Sequence, residues 1–182
     1  MIRALLVSML VLVPTTVRAD EPKPKGPPAT DVLAEAMTAA KKDGKAVFLA
    51  FGSPTCGWCK YLDKFTARPA VAKTLTPHVV FVKVDVVDNP GGEKLYEKYA
   101  PEPGGVPVWV FLSAEGKVLA DSFAEEKGKK QNVGFPYEPT ELAHYEKALR
   151  TALPKLTDAE VTDVMKELKD AGPKREKKDD KK

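Results

Sequence analysis

Cysteine and histidine are scarce in this chain of 182 residues, which holds two of each. Two cysteines exclude a framework of several disulfides and a four-thiolate zinc site. The histidines, His78 and His144, lie far apart with no paired ligand spacing, so no metal site is expected. Long apolar runs are lacking too. The longest, residues 4–13, is interrupted only by Ser8 and falls short of the roughly 20 residues a spanning helix needs. Nor is there an excess of one charge: the formal net charge is +3. Residues 1–19 supply two arginines of that total, and residues 174–182 carry six basic and three acidic side chains, which leaves −2 for residues 20–173. No basic patch interleaved with aromatics occurs, so nucleic acid is not an expected partner. The 43% of hydrophobic residues is enough for one packed core and excludes a disordered chain over the middle of the sequence.

The ends read differently from the middle. Arg3, the apolar stretch 4–13 and Val17-Arg18-Ala19 form the pattern of a secretory signal peptide over residues 1–19. No cysteine follows that stretch to accept a lipid, and no membrane span is expected once it is cleaved. The expectation is an exported protein, periplasmic or extracellular. Residues 20–29, rich in proline and lysine, read as an extended linker. A folded domain is expected over 30–153, a helical extension over 154–172 and a disordered charged tail over 173–182.

Within the domain, Leu33, Ala36, Met37 and Ala40 recur at helical spacing, with Thr30 or Asp31 as the cap and Gly44 as the stop. Residues 45–52 and 79–86 read as buried strands, 56–66 and 90–99 as helices, and 106–112 and 117–122 as a hairpin. Residues 123–139 are polar and long for a connection, and the expectation there is a surface loop. Leu142, Tyr145, Leu149 and Leu153 resume helical spacing. Thr157 and Glu160 form a capping box before a last helix. The alternation predicts an α/β fold, a central mixed sheet with helices on both faces. Cys56 then falls at the carboxyl end of a central strand, where open α/β sheets bind ligands.

Both cysteines sit in Cys56-Gly57-Trp58-Cys59, directly after the apolar run Ala46-Val47-Phe48-Leu49-Ala50-Phe51. Two thiols at this spacing close a small disulfide with no other partner, and the dithiol reduces another. If Cys56 caps the helix, the unpaired N–H groups of the first turn and the helix dipole favour its thiolate, the reactive form. Cys56 is then the attacking thiol and Cys59, one turn further in, the resolving one. Gly57 lets a partner chain approach. Trp58 either shields the sulfurs, presents an apolar surface to substrate, or is a half-exposed aromatic at a helix start. Lys60 occupies the place where haem attachment needs histidine. A purely structural disulfide remains open, although so small a loop restricts the unfolded chain little.

Phe51-Gly52-Ser53-Pro54-Thr55-Cys56-Gly57-Trp58-Cys59-Lys60, the strand Phe81-Val82-Lys83-Val84-Asp85 followed by Asn89-Pro90, and Gly104-Gly105-Val106-Pro107-Val108 together resemble the thioredoxin superfamily over residues 30–153. The resemblance implies a thioredoxin-like fold and a redox-active centre at Cys56 and Cys59, with no cofactor. It also implies a cis bond before Pro107 beside the cysteine pair, which leaves the backbone of Val106 to contact an extended substrate. One position departs from the pattern. The family usually carries a buried aspartate six residues before the first cysteine, and here that residue is Ala50; Lys83 matches the lysine that neighbours the aspartate. Gly134-Phe135-Pro136 and Glu141-Leu142 are similar to the end of exported relatives of the carboxyl-terminal domain of the disulfide-reductase transporter.

The resulting expectation is an exported thiol-disulfide oxidoreductase, acting as a disulfide reductase. Its site comprises Cys56 and Cys59 as catalytic residues, Trp58, Val106 and Pro107 against substrate, and Gly57 and Lys83 in support. Its partners are protein disulfides and a membrane or soluble thiol reductant that recharges the pair. With no dimerisation module in view, a monomer is expected. The alternative is a non-catalytic thioredoxin-like binding module whose cysteines form an inert clip.

Overall fold

Alternating apolar side chains on the central strand need cover on both faces, and that requirement organises the molecule. The computed structural model describes residues 25–100, 104–126 and 128–174. The signal segment 1–19, residues 20–24 of the linker and the tail beyond Lys174 lie outside the described residues. The order is α1 (Ala29–Asp43), β1 (Ala46–Gly52), α2 (Gly57–Thr66), α3 (Pro69–Leu75), β2 (Val79–Asp85), α4 (Gly92–Tyr99), β3 (Val108–Leu112), β4 (Val118–Asp121), β5 (Phe123–Glu126), β6 (Lys129–Asn132), α5 (Pro139–Ala152) and α6 (Asp158–Ala171).

Four strands form a mixed sheet in the order β2-β1-β3-β4. β1 runs parallel to β2, with Ala46 opposite Val79 and Gly52 opposite Asp85, and antiparallel to β3. Along β1 and β3 the side chains divide between two cores. Phe48, Trp109 and Phe111 pack with Leu62, Phe65, Tyr145, Leu149 and Leu168 on the side of α2, α3, α5 and α6. Val47, Leu49, Phe51, Val108, Val110 and Leu112 pack with Leu33, Ala36 and Leu95 on the side of α1 and α4. This is the α/β, thioredoxin-like arrangement with helices on both faces of the sheet.

Most helix ends follow sequence signals. Gly44 closes α1 in the left-handed conformation, φ 65°. The capping box of Thr157 and Glu160 starts α6. The start of α1 differs from the expected Thr30 or Asp31 cap: Pro28 holds that position, and the N–H groups of Asp31 and Val32 donate to its carbonyl at 3.0 and 3.1 Å. A short helix, α3, was not expected; Pro69 at its first position, with φ already fixed, starts it.

The larger correction concerns residues 123–139, where a surface loop was expected. Residues 123–126 and 129–132 instead form a two-stranded hairpin, β5 with β6. Glu125 stands opposite Lys130 and Glu126 opposite Lys129, so unlike charges face each other across the ladder. Gly128, at φ 76°, supplies the left-handed turn residue. Buried Phe123 fixes the base of the hairpin to the core shared by α1 and α4.

Candidate functional site: a disulfide at the start of α2

Strand β1 ends at Gly52, a tight turn follows in which the Cys56 N–H donates to the Ser53 carbonyl at 3.2 Å, and α2 starts at Gly57. Cys56 is therefore the N-cap. Its sulfur accepts the Cys59 N–H at 3.0 Å, one of the first-turn groups with no partner within the helix. Cys56 and Cys59 are joined in a disulfide, with Cα atoms 5.3 Å apart. Cys59 is buried, 2% exposed, whereas Cys56 is half-buried. An incoming sulfur thus reaches Cys56 and not Cys59.

Across from the pair stands the segment before β3. The Val106–Pro107 peptide bond is cis, and the Val106 carbonyl oxygen lies 3.3 Å from Cys56 Sγ. Gly57 faces open space: a Cβ built there would meet nothing within 4 Å. Trp58 is 47% exposed and is not isolated. Its ring stacks on Phe135 at 6.4 Å and 15°, and lies 5.5 Å from Tyr61 and 6.2 Å from Tyr137. Trp58, Phe135 and Tyr137, with Val106, Pro107 and Asn132, line a groove of about 530 Å³ along the Val106–Pro107 segment.

Lys83 lies on the other side of the pair. It stands opposite Ala50 in the β1/β2 register. A Cβ on Gly52 would meet Lys83 Cε at 3.2 Å and Cys59 Sγ at 3.4 Å, so glycine leaves room for both against the strand end. Lys83 Nζ donates to Asp63 Oδ2 at 2.6 Å, with the two side chains 44% and 46% exposed. Asp63 was missed from the sequence. It stands four residues after Cys59 on α2 and so shares its helix face, the one signal by which spacing alone could have found it.

The other residues weighed from sequence are elsewhere. His144 Nε2 lies 2.8 Å from the Asp121 carbonyl, and its ring sits 5.9 Å from Trp109. His78 lies in the connection into β2, where its carbonyl accepts the Ala46 N–H at 3.0 Å. Among the described residues no group of three or more His, Cys, Asp or Glu is placed to hold a metal ion, and no helix is long and apolar enough to cross a membrane.

The chain is 32% identical over 107 residues to the uncharacterized protein B0495.5 of Caenorhabditis elegans, a match covering 56% of this chain and 15% of that protein. It is 32% identical over 105 residues to a protein disulfide-isomerase of Datisca glomerata, covering 56% of this chain and 20% of that one. The chain thus spans a fifth or less of these relatives. A solved structure of a disulphide isomerase from Xylella fastidiosa Temecula1 is 21% identical, with a TM-score of 0.48, over 87% of this chain and 98% of that one. The Thioredox_DsbH family model, described as a protein of unknown function, DUF255, matches residues 30–168, and the chain belongs to that thioredoxin-like family.

Proposed function

We propose that the protein is an exported thiol-disulfide oxidoreductase that reduces protein disulfides. The observation that carries this reading is the asymmetry of the pair: Cys56 is reachable at a helix N-cap, and Cys59 is buried one turn inside. In the reduced protein the Cys56 thiolate attacks one sulfur of a client disulfide, whose S–S bond breaks and releases the other sulfur as thiolate. The Cys59 thiolate then attacks Cys56 Sγ. That step frees the second client thiol and leaves the Cys56–Cys59 disulfide, two electrons having passed to the client.

Val106 and Pro107 would hold the client segment as an extended strand beside Cys56, with Trp58 as an apolar wall. Gly57 keeps the approach open, and Lys83 serves the Cys59 side. A membrane or soluble thiol reductant must restore the dithiol, since an exporting compartment tends to oxidise it. Export is supported by the pattern of residues 1–19. The name of the Datisca relative and the family membership favour disulfide chemistry, and the direction is the proposal's own.

Three measurements test it. Cys56→Ser should abolish reduction of insulin, and Cys59→Ser should accumulate mixed disulfides with clients. The Cys56/Cys59 couple should titrate against glutathione near about −270 mV, as a reductant does, and not near about −120 mV, as an oxidant does. If insulin reduction is the same in both variants as in the wild type, the cysteines are a structural clip and the protein is a binding module.

A further inference from the structure

Asn132 ends β6, on the hairpin of residues 123–132 whose strands are β5 and β6, and both its amide nitrogen and its amide oxygen are hydrogen-bonded. Nδ2 donates to the Gly105 carbonyl at 2.7 Å and to the Pro107 carbonyl at 3.0 Å, and Oδ1 accepts the Gly134 N–H at 3.1 Å. The two carbonyls flank Val106 in sequence and both turn to Asn132, while the carbonyl of Val106 itself faces Cys56 at 3.3 Å. One amide thus holds the two carbonyls on either side of the one that faces Cys56.

Glycine at position 104 leaves room for the Asn132 side chain. A Cβ on Gly104 would come within 3.1 Å of Asn132 Cβ, and one on Gly134 within 3.6 Å of Pro107 Cδ. Gly134 also has φ 57°, a conformation glycine takes readily. The support is rigid on the far side: the Val133 N–H donates to the Ser122 carbonyl at 2.8 Å, and Trp109 Nε1 donates to the Gly134 carbonyl at 2.8 Å. Ser122 and Trp109 are both fully buried. On the opposite edge of the segment Tyr96 Oη donates to the Gly104 carbonyl. The segment is held from both sides, and among the described residues only Asn132 donates a side-chain hydrogen bond to the two carbonyls next to Val106.

We propose that Asn132 is a positioning residue for polypeptide clients: it holds Gly105 to Pro107 so that the backbone of Val106 meets an extended client strand beside Cys56. The role rests on the oxidoreductase reading given above. It concerns clients that pair through their backbone, and reagents too small to reach Val106 should be indifferent to it. Asn132→Asp is the informative change. It keeps an acceptor for Gly134 and replaces the donor with a carboxylate oxygen facing two carbonyls, so both clamp bonds are lost.

The experiment compares wild type, Asn132→Asp and Asn132→Ala, reduced, in two reactions: turnover of insulin disulfides and alkylation of Cys56 by iodoacetamide. The expected result is a fall of about tenfold or more in kcat/KM for insulin, with the larger part in KM, while alkylation stays within about twofold. Equal insulin turnover in the variants overturns the role. So does a parallel fall in both reactions, which marks general disruption of the site. If neither variant folds, the wild type decides by NMR: the Asn132 side-chain amide hydrogens should exchange slowly with water, and rapid exchange overturns the clamp. Failure of the wild type to reduce insulin removes the oxidoreductase reading and this role with it, whereas an active wild type with unaffected variants removes the role alone.

Discussion

Tyr145 is fully buried on α5, edge-on to Trp109 at 5.0 Å and 83° and to Phe65 at 5.9 Å and 81°, and its hydroxyl has no hydrogen-bond partner among the described residues. Tyr145→Phe should therefore stabilise the protein, against the usual direction for a core substitution. An unsatisfied buried hydroxyl costs about 1–3 kcal/mol. Removing one oxygen forfeits a handful of atom contacts at about 0.1–0.2 kcal/mol each. The net expectation is a gain of about 1 kcal/mol, or roughly 2–4 °C in Tm for a chain of this size. Urea unfolding followed by tryptophan fluorescence measures it, with an unchanged slope as the control. Alkali gives an independent check. Burial pushes the Tyr145 hydroxyl well above its ordinary pKa. The unfolded chain releases this proton near pH 10 and the folded one holds it, so the tyrosine's contribution is intact below pH 10 and is lost as pH rises above it. At pH 11 the advantage of the phenylalanine variant should have grown by about 1.4 kcal/mol. A variant less stable than wild type at pH 7, or an advantage that stays flat from pH 8 to 11, refutes the reasoning.

Two further outcomes are expected. Gly92→Ala should lower stability by about 1–3 kcal/mol in the same urea assay, because its Cβ would meet the Asp85 carbonyl oxygen at 2.5 Å and Val86 Cα at 3.0 Å, backbone atoms with nowhere to swing. Asp63→Asn should change stability by less than about 1 kcal/mol, since its ion pair with Lys83 is half-exposed; if the pair moves protons for Cys59, resolution of a mixed disulfide slows by about tenfold while alkylation of Cys56 does not, and unchanged resolution removes Asp63 from the chemistry.

The parts of the fold that were legible are those encoded within one element. The run of residues 46–51 gave a strand because its alternate side chains enter two different cores. Gly44, Thr157 and Glu160 marked helix ends because capping is a contact between near neighbours in sequence. The hairpin of β5 and β6 was not legible, because its residues 125–126 and 129–131 are polar and exposed and carry no alternation. What holds it is charge pairing across the ladder, with buried Phe123 at its base. A polar hairpin and a polar loop have the same composition, and only the register separates them.

The site divides along the same line. Cys56, Cys59, Val106 and Pro107 belong to two contiguous motifs, and the fold brings those motifs within 3.3 Å. Asn132 and Asp63 belong to no motif, because each is hydrogen-bonded to a partner distant in sequence. The Asp63 pairing also bears on the absent buried acid. A carboxylate at position 50 would stand opposite Lys83 on the sheet, partly buried, where its charge would depend on that one lysine. Asp63 reaches the same lysine from the helix side with nearly half its surface in water. Lys83 then has a counter-ion without a charge inside the sheet, and a residue of alanine size suffices at position 50.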